Sequence, residues 1–404
     1  MKKISKGIIA TCLTAGLIFA SMPAASAADE SKTIKLAFTD APMLTIGDIQ
    51  IYHPSYAAML AFKGALEKST RGEYGVELYP NGVLGDAAST MEQMLTGTIT
   101  GSTPADGALS AFAPDIQVFS IPYLFDTPTI AYDVLDGSFG QQLFEKIASE
   151  TGFRIVASYD NGGYRNFTNS EHEIKSAADM EGLNIRVQDS PVYLKLVESL
   201  GASATPVAFL ELYSALQTGV VQGQENSCVT TLGASLNEVQ PYCTLDGHLL
   251  GLAFLVVSDS WYQGLDADTQ KLVDEAGEEA SIAARGICRY AEALAVDTMK
   301  EKGVQVYTPT TEELESFKVA QEPVMEYLKS NLSDSTLTDS LFAAIDSAKS
   351  MEESGTGTAT GGAQIAIGAN NTGTVNLVLI SAIMVGLMAV VFILTRKKEN
   401  QVED

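Results

Sequence analysis

Positive charge is scarce in this 404-residue chain. It holds 25 lysines and arginines against 50 aspartates and glutamates, a formal net charge of −25, which excludes the basic face that nucleic-acid binding needs. Only seven of the cations are arginine. Histidine is scarcer still: His53, His172 and His248 are far apart and lack metal-ligand spacing. No Gly-x-Ser-x-Gly elbow occurs, and no glycine-rich loop leads into Lys-Ser or Lys-Thr. This excludes the hydrolases and nucleotide sites that those turns build. An acid pair for glycoside chemistry is not excluded in this way, because acids are abundant. Cysteine is rare as well. Beyond Cys12 the chain has Cys228, Cys243 and Cys288, an odd number without metal spacing. They read as free buried thiols, with a Cys228–Cys243 bridge as the open alternative.

What is present begins at the two ends. Lys2, Lys3 and Lys6, the apolar stretch Gly7 to Ala20, and Ala25-Ser26-Ala27 have the order of a secretory signal over residues 1–27. Val375 to Leu394 is an apolar run broken only by Asn376 and Ser381, and Arg396, Lys397 and Lys398 follow it. That pattern predicts a transmembrane helix over 374–395 and a cytoplasmic tail over 396–404. A cell-wall sorting signal is the alternative, although Ala369-Asn370 stand where its Leu-Pro pair is expected. Residues 352–373, rich in Gly, Thr, Ala and Asn, read as a flexible linker. The expected location is therefore the cell membrane, single-pass, with the body outside.

The body, 28–351, alternates short apolar runs with helical stripes, the pattern of an α/β fold. Ile34, Leu36 and Phe38 alternate as a first strand; Met59, Leu60, Phe62 and Leu66 form a helical face. Ile121 to Phe125 reads as a buried extended segment, and Leu249 to Val257 as a strand covered on both faces. Tyr193, Leu196, Val197 and Leu200 form another helical stripe. Asp266 to Lys302 is the longest helical pattern. Unbroken it spans roughly 50 Å, with Gly277 and Gly286 as the places where it would break.

One arginine stands out. In Leu183-Asn184-Ile185-Arg186-Val187 the apolar residues alternate with Asn184 and Arg186, which puts Arg186 on the face opposite them. A guanidinium fork held by a rigid strand suits a small carboxylate. An exposed strand arginine is the plain alternative. The surrounding order of motifs bears on the choice: Glu77-Leu78-Tyr79-Pro80, Leu84-Gly85, Ile121-Pro122-Tyr123-Leu124-Phe125, Tyr164-Arg165-Asn166-Phe167-Thr168-Asn169, Gly201-Ala202, Pro206, Glu211 to Gln217, and Glu225-Asn226. In this order and spacing, from Thr33 to about Leu332, the chain resembles the solute receptors of tripartite ATP-independent periplasmic (TRAP) transporters, the DctP family.

The resemblance implies a non-enzymatic receptor, with no cofactor, that captures an organic acid and delivers it to a membrane permease. It implies a two-lobed α/β architecture of the type II periplasmic-binding-protein kind, hinged between the lobes. One lobe would hold about 28–162 and 252–291, the other about 163–251 and 292–351. By resemblance, Arg186 grips the carboxylate, Arg165 adds a second polar contact, Asn226 hydrogen-bonds the ligand and Phe209 lines the pocket. Asp106, His53 and Tyr56 are the first-lobe candidates. Four of them have a structural alternative: Arg165 pairing with Glu171 or Glu173, Asn226 capping a helix, Phe209 and His53 packing only. The chain departs from the family at Gln222, at Ser227 and in the long segment Asp40 to Pro54. A tethered organic-acid sensor and an extracellular hydrolase are the other function classes; the ten residues after Leu394 are too few for a signalling domain.

Overall fold

The computed structural model describes residues 32–354. The signal stretch, the linker, the apolar run 375–394 and the basic tail lie outside the described residues. Among those described, no helix is long and apolar enough to cross a membrane.

Eleven strands are described: β1 (Thr33–Ala37), β2 (Met43–Ile46), β3 (Ile49–Tyr52), β4 (Gly75–Tyr79), β5 (Gly101–Ser102), β6 (Phe153–Asn169), β7 (Asn184–Val187), β8 (Ser203–Pro206), β9 (Gly223–Ser227), β10 (Tyr242–Ser258) and β11 (Gln305–Tyr307). Nine of them form one sheet in the order β4-β1-β5-β10-β6-β9-β7-β8, with β11 on β10. The antiparallel pair β6 and β10, 17 residues each, makes the architecture two-lobed. Its Phe153–Asp160 and Leu252–Ser258 halves belong with the parallel set β4-β1-β5. Its other halves carry β9-β7-β8 and β11. The two halves meet at Gly162 and Gly163, both with positive φ, and at breaks in the β10 register around Gly247 and Gly251.

The long helical pattern forms one unbroken helix, Ala267–Glu301, started by Asp266 accepting from the Thr269 amide. Its stripe of Val273, Ala276, Ala280, Ala284, Cys288, Ala291, Ala295 and Met299 is buried. It does not break at Gly277, because that glycine is a contact: a Cβ there would stand 1.9 Å from the Val156 carbonyl oxygen. Small residues let the helix lie directly on β6.

Three expectations change. The strand expected at 249–257 is one end of a 17-residue strand that crosses between the lobes beside a second of the same length. Ile121 to Phe125 is a turn rather than extended, with Tyr123 at φ 56° and its amide donating to the His248 carbonyl at 2.8 Å. Finally, 292–351 does not stay with the second lobe. Helix Gln321–Asn331 packs on Pro191–Ser199 there, but Leu337–Ser354 packs on Pro128–Asp136 of the first. The segment Asp40 to Pro54 contains the β2–β3 hairpin, whose Leu44 and Ile46 point inward onto Val229, Leu232, Ala295 and Met299. Cys228, Cys243 and Cys288 are free and buried.

Candidate functional site

Arg186 is the penultimate residue of β7, a short strand paired in parallel with β8 and β9. It therefore stands at the carboxyl ends of parallel strands, where open α/β sheets bind ligands. The side chain is only 2% exposed. Its Nε donates to the Val207 carbonyl at 2.8 Å, and the guanidinium carbon lies 6.0 Å from the centre of the Phe209 ring. Among the described residues, neither terminal nitrogen donates to an acceptor and no carboxylate stands within ion-pair distance. Burial pushes its pKa down to about 10; Glu225 offsets part of that push and Arg165 adds to it. A buried cation without an anion is costly, so the site is electrostatically incomplete.

Arg165, on β6, is just as buried but ion-paired. Nε and Nη2 donate to the Glu225 carboxylate at 2.5 and 2.9 Å, and Nη2 also to the Glu225 carbonyl at 2.7 Å. Neither Glu171 nor Glu173 is its partner. Gly251 makes room for its stem, since a Cβ there would stand 3.2 Å from Cγ. Only Nη1 donates to no protein group. Burial by itself would raise Glu225; Arg165 and His248 overcome this and hold it below the ordinary range. His248 lies 3.4 Å from Glu225 through Nε2 and 2.7 Å from Asp246 through Nδ1, its ring stacked on Phe167. Burial would lower the imidazole, but the two carboxylates raise it to about 9. On the other side the Tyr193 ring lies 5.3 Å from the Arg165 guanidinium carbon. Its hydroxyl donates to Asp106 at 2.9 Å, as does Ser120 at the same distance. Asp106, raised by burial against the opposing pull of Arg165, is thus linked through Tyr193 across the lobes.

Asn226 does not cap the next helix; Ser227 does, accepting from the Thr230 amide. Asn226 Nδ2 donates to Gln224 Oε1 at 2.5 Å, and its side-chain oxygen accepts nothing from the described residues. Phe209 is half-buried and faces Arg186.

Five of the seven expected residues, Arg186, Arg165, Asn226, Phe209 and Asp106, fall along the carboxyl ends of the two parallel sets or the crossing strands between them. His53 and Tyr56 are engaged in capping and packing in the first lobe. His53 is the N-cap of Pro54–Ser69: its Nδ1 accepts from the Ser55 amide at 3.2 Å and its ring packs 4.9 Å from Phe38. Burial lowers its pKa to about 3. Tyr56 packs near Tyr52 and Phe38 and lines a shallow groove with Leu60, Lys63 and Val76. A proline at the first helical position made His53 the cap, and that geometry turns it into the helix.

Sequence reasoning missed Glu225, His248, Asp246 and Tyr193 as parts of the site. Two signals were there: a histidine two residues from an aspartate, and a tyrosine in an otherwise aliphatic stripe. A cavity of about 510 Å³ lies elsewhere, beside Asp133, Phe144, Ser281 and Arg285, and contains none of the site residues. Its cation is already matched, Arg285 holding Asp136 through two bonds of 2.6 and 2.7 Å. Among the described residues, no group of three or more His, Cys, Asp and Glu side chains is placed to hold a metal ion.

The family model for bacterial extracellular solute-binding proteins, family 7 (DctP), matches residues 50–331. The C4-dicarboxylate-binding periplasmic protein of Rhodobacter capsulatus is 31% identical over 282 residues, 68% of this chain and 83% of that protein. The 2,3-diketo-L-gulonate-binding periplasmic protein of Escherichia coli (strain K12) is 28% identical over 253 residues, 63% of this chain and 76% of that one. Among solved structures, a TRAP periplasmic solute-binding protein of Polaromonas sp. JS666 bound to D-erythronate superposes with a TM-score of 0.70 at 28% identity, covering 78% of this chain and 98% of that one. These findings correct the expected location. The relatives just named are periplasmic proteins, and no described helix can cross a membrane. The single-pass assignment rested on 375–394, outside the described residues.

Proposed function

The chain belongs to the bacterial extracellular solute-binding protein family 7, and from that premise we propose that it is a receptor that captures an organic acid and passes it to a TRAP-type permease. One observation carries the reading: Arg186, buried at the carboxyl end of β7, has two terminal nitrogens that no described residue uses. A carboxylate seated there takes both in charge-assisted bonds. Arg165 Nη1 reaches the same anion, while Glu225 holds the rest of that guanidinium in place. The Asn226 oxygen accepts from a ligand hydroxyl, Phe209 covers the apolar side, and Asp106 contributes from the first lobe. A ligand that touches both lobes favours their closed arrangement by its differential contacts. The Asp106–Tyr193 bond lies on that seam.

The test is calorimetric titration of the full-length protein with small carboxylates, beside Arg186→Met. Saturable binding of an acid that the variant loses supports the reading. Equal affinity in the variant removes Arg186 from the site and overturns it.

A further inference from the structure

The receptor reading leaves the ligand's second end unspecified, and the first lobe bears on it. Strands β1 and β5 run parallel and side by side, Ala37 opposite Ser102. Their following loops therefore leave the sheet together on the side where Arg186 stands in the other lobe. These loops carry Asp40, Thr103 and Asp106. Asp40 is half-buried, has no cation within ion-pair distance, and accepts only a long 3.4 Å bond from Thr39. Burial raises its carboxyl to about 6 against that bond. The Thr103 hydroxyl is buried without a partner. Facing them is the loop after β7, where the Gln188 amide nitrogen and the Ser190 hydroxyl are also buried without partners. Gln188 lies directly on the residue beside Asp106: a Cβ on Gly107 would stand 2.8 Å from it.

The charges around this seam are unequal. Arg165 is paired with Glu225 and has only Nη1 left for the carboxylate on Arg186, so the two arginines serve one end of the ligand, and the opposite loops present two carboxylates. We propose that Asp40 and Asp106 act as a charge filter, so that the receptor takes hydroxylated monocarboxylates of the aldonate type and rejects the dicarboxylate with the same carbon skeleton. One carboxylate sits on Arg186. The ligand's hydroxyls donate to Asp40 and Asp106 and exchange bonds with Thr103, Ser190 and Gln188, groups that otherwise remain unpaired in the closed cleft. A second carboxylate would meet like charge and no free cation. Buried like-charge contacts of this kind cost affinity by roughly a hundredfold. The inference rests on the receptor reading, and its test separates the two.

The probes are aldonates and their aldarates at four and six carbons, pairs that differ only in whether the far end is CH2OH or carboxylate. Each is titrated into the full-length protein by calorimetry and thermal shift. The expected result is binding of an aldonate at least roughly a hundredfold tighter than its aldarate, and a preference that shrinks at least tenfold in Asp40→Asn. Asp106→Asn is the second variant; because Asp106 is buried, the half-exposed Asp40 keeps the test usable if Asp106→Asn fails to fold. An aldarate or succinate that binds as tightly as any aldonate, with binding still lost in Arg186→Met, overturns the filter and leaves the receptor reading intact. An unchanged preference in both folded variants overturns the assignment of Asp40 and Asp106. Failure of every acid to bind, aldonate or aldarate, overturns both readings.

Discussion

Arg165 and Arg186 are both about 2% exposed and belong to the same lobe, yet they are wired in opposite ways. Arg165 has a carboxylate on two of its nitrogens, and that carboxylate is itself held by His248. Arg186 has one backbone carbonyl and an aromatic ring. Removing a partner from a matched pair strands a buried charge, whereas removing an unmatched cation relieves one. Equal burial therefore does not mean equal wiring: one arginine is paired within the fold, and the other keeps an unpaired charge, the one proposed to meet the ligand.

The largest effect expected from this comparison is on stability. Arg165→Met leaves the buried Glu225 with only the longer His248 contact, so denaturant titration should show a loss of roughly 3–5 kcal/mol. A loss below about 1 kcal/mol would mean that the pair is not what holds this part of the sheet. Arg186→Met should do the reverse. The ligand-free protein keeps or gains stability, while acid binding falls by roughly 2–5 kcal/mol. A variant that loses stability as much as Arg165→Met would erase the distinction.

The two buried histidines sharpen the comparison by pH. His248 is raised to about 9 from an ordinary 6.5. Its contribution is fully present below pH 6.5 and is lost as pH rises through 9, on the order of 3 kcal/mol. His248→Gln should flatten the stability profile over that window. His53, lowered to about 3, has the opposite sign: the fold holds it neutral, and stability erodes as pH falls below 6.5. The smallest effect is at this cap, where His53→Ala should cost about 1 kcal/mol at pH 8, with no change in acid affinity. A change in affinity there would return His53 to the site.

Local pattern made much of the fold legible. The 35-residue helix and its alanine-rich stripe follow from a repeat of three and four residues. Of the crossing strands, β10 was seen only at its Leu249–Val257 end, because glycines and polar residues interrupt the apolar run at the hinge. Arg186 was legible because strand alternation turns it away from Ile185 and Val187. Tyr193 read as core since its ring does fill the stripe; only its hydroxyl shows otherwise, and Asp106 is 87 residues away. His248 and Glu225 are 23 residues apart and meet only because β9 and β10 flank β6.

By itself the sequence determined the α/β class, the long helix, the family and the arginine that strand alternation sets apart from its apolar neighbours, since each depends on spacing along the chain. Only the tertiary structure decided which of two arginines is free, that His53 is a cap, and that Asp40 and Asp106 stand on the lobe opposite Arg186. Charge matching depends on distances of a few ångströms between residues far apart in sequence, and burial sets the magnitude of every such interaction.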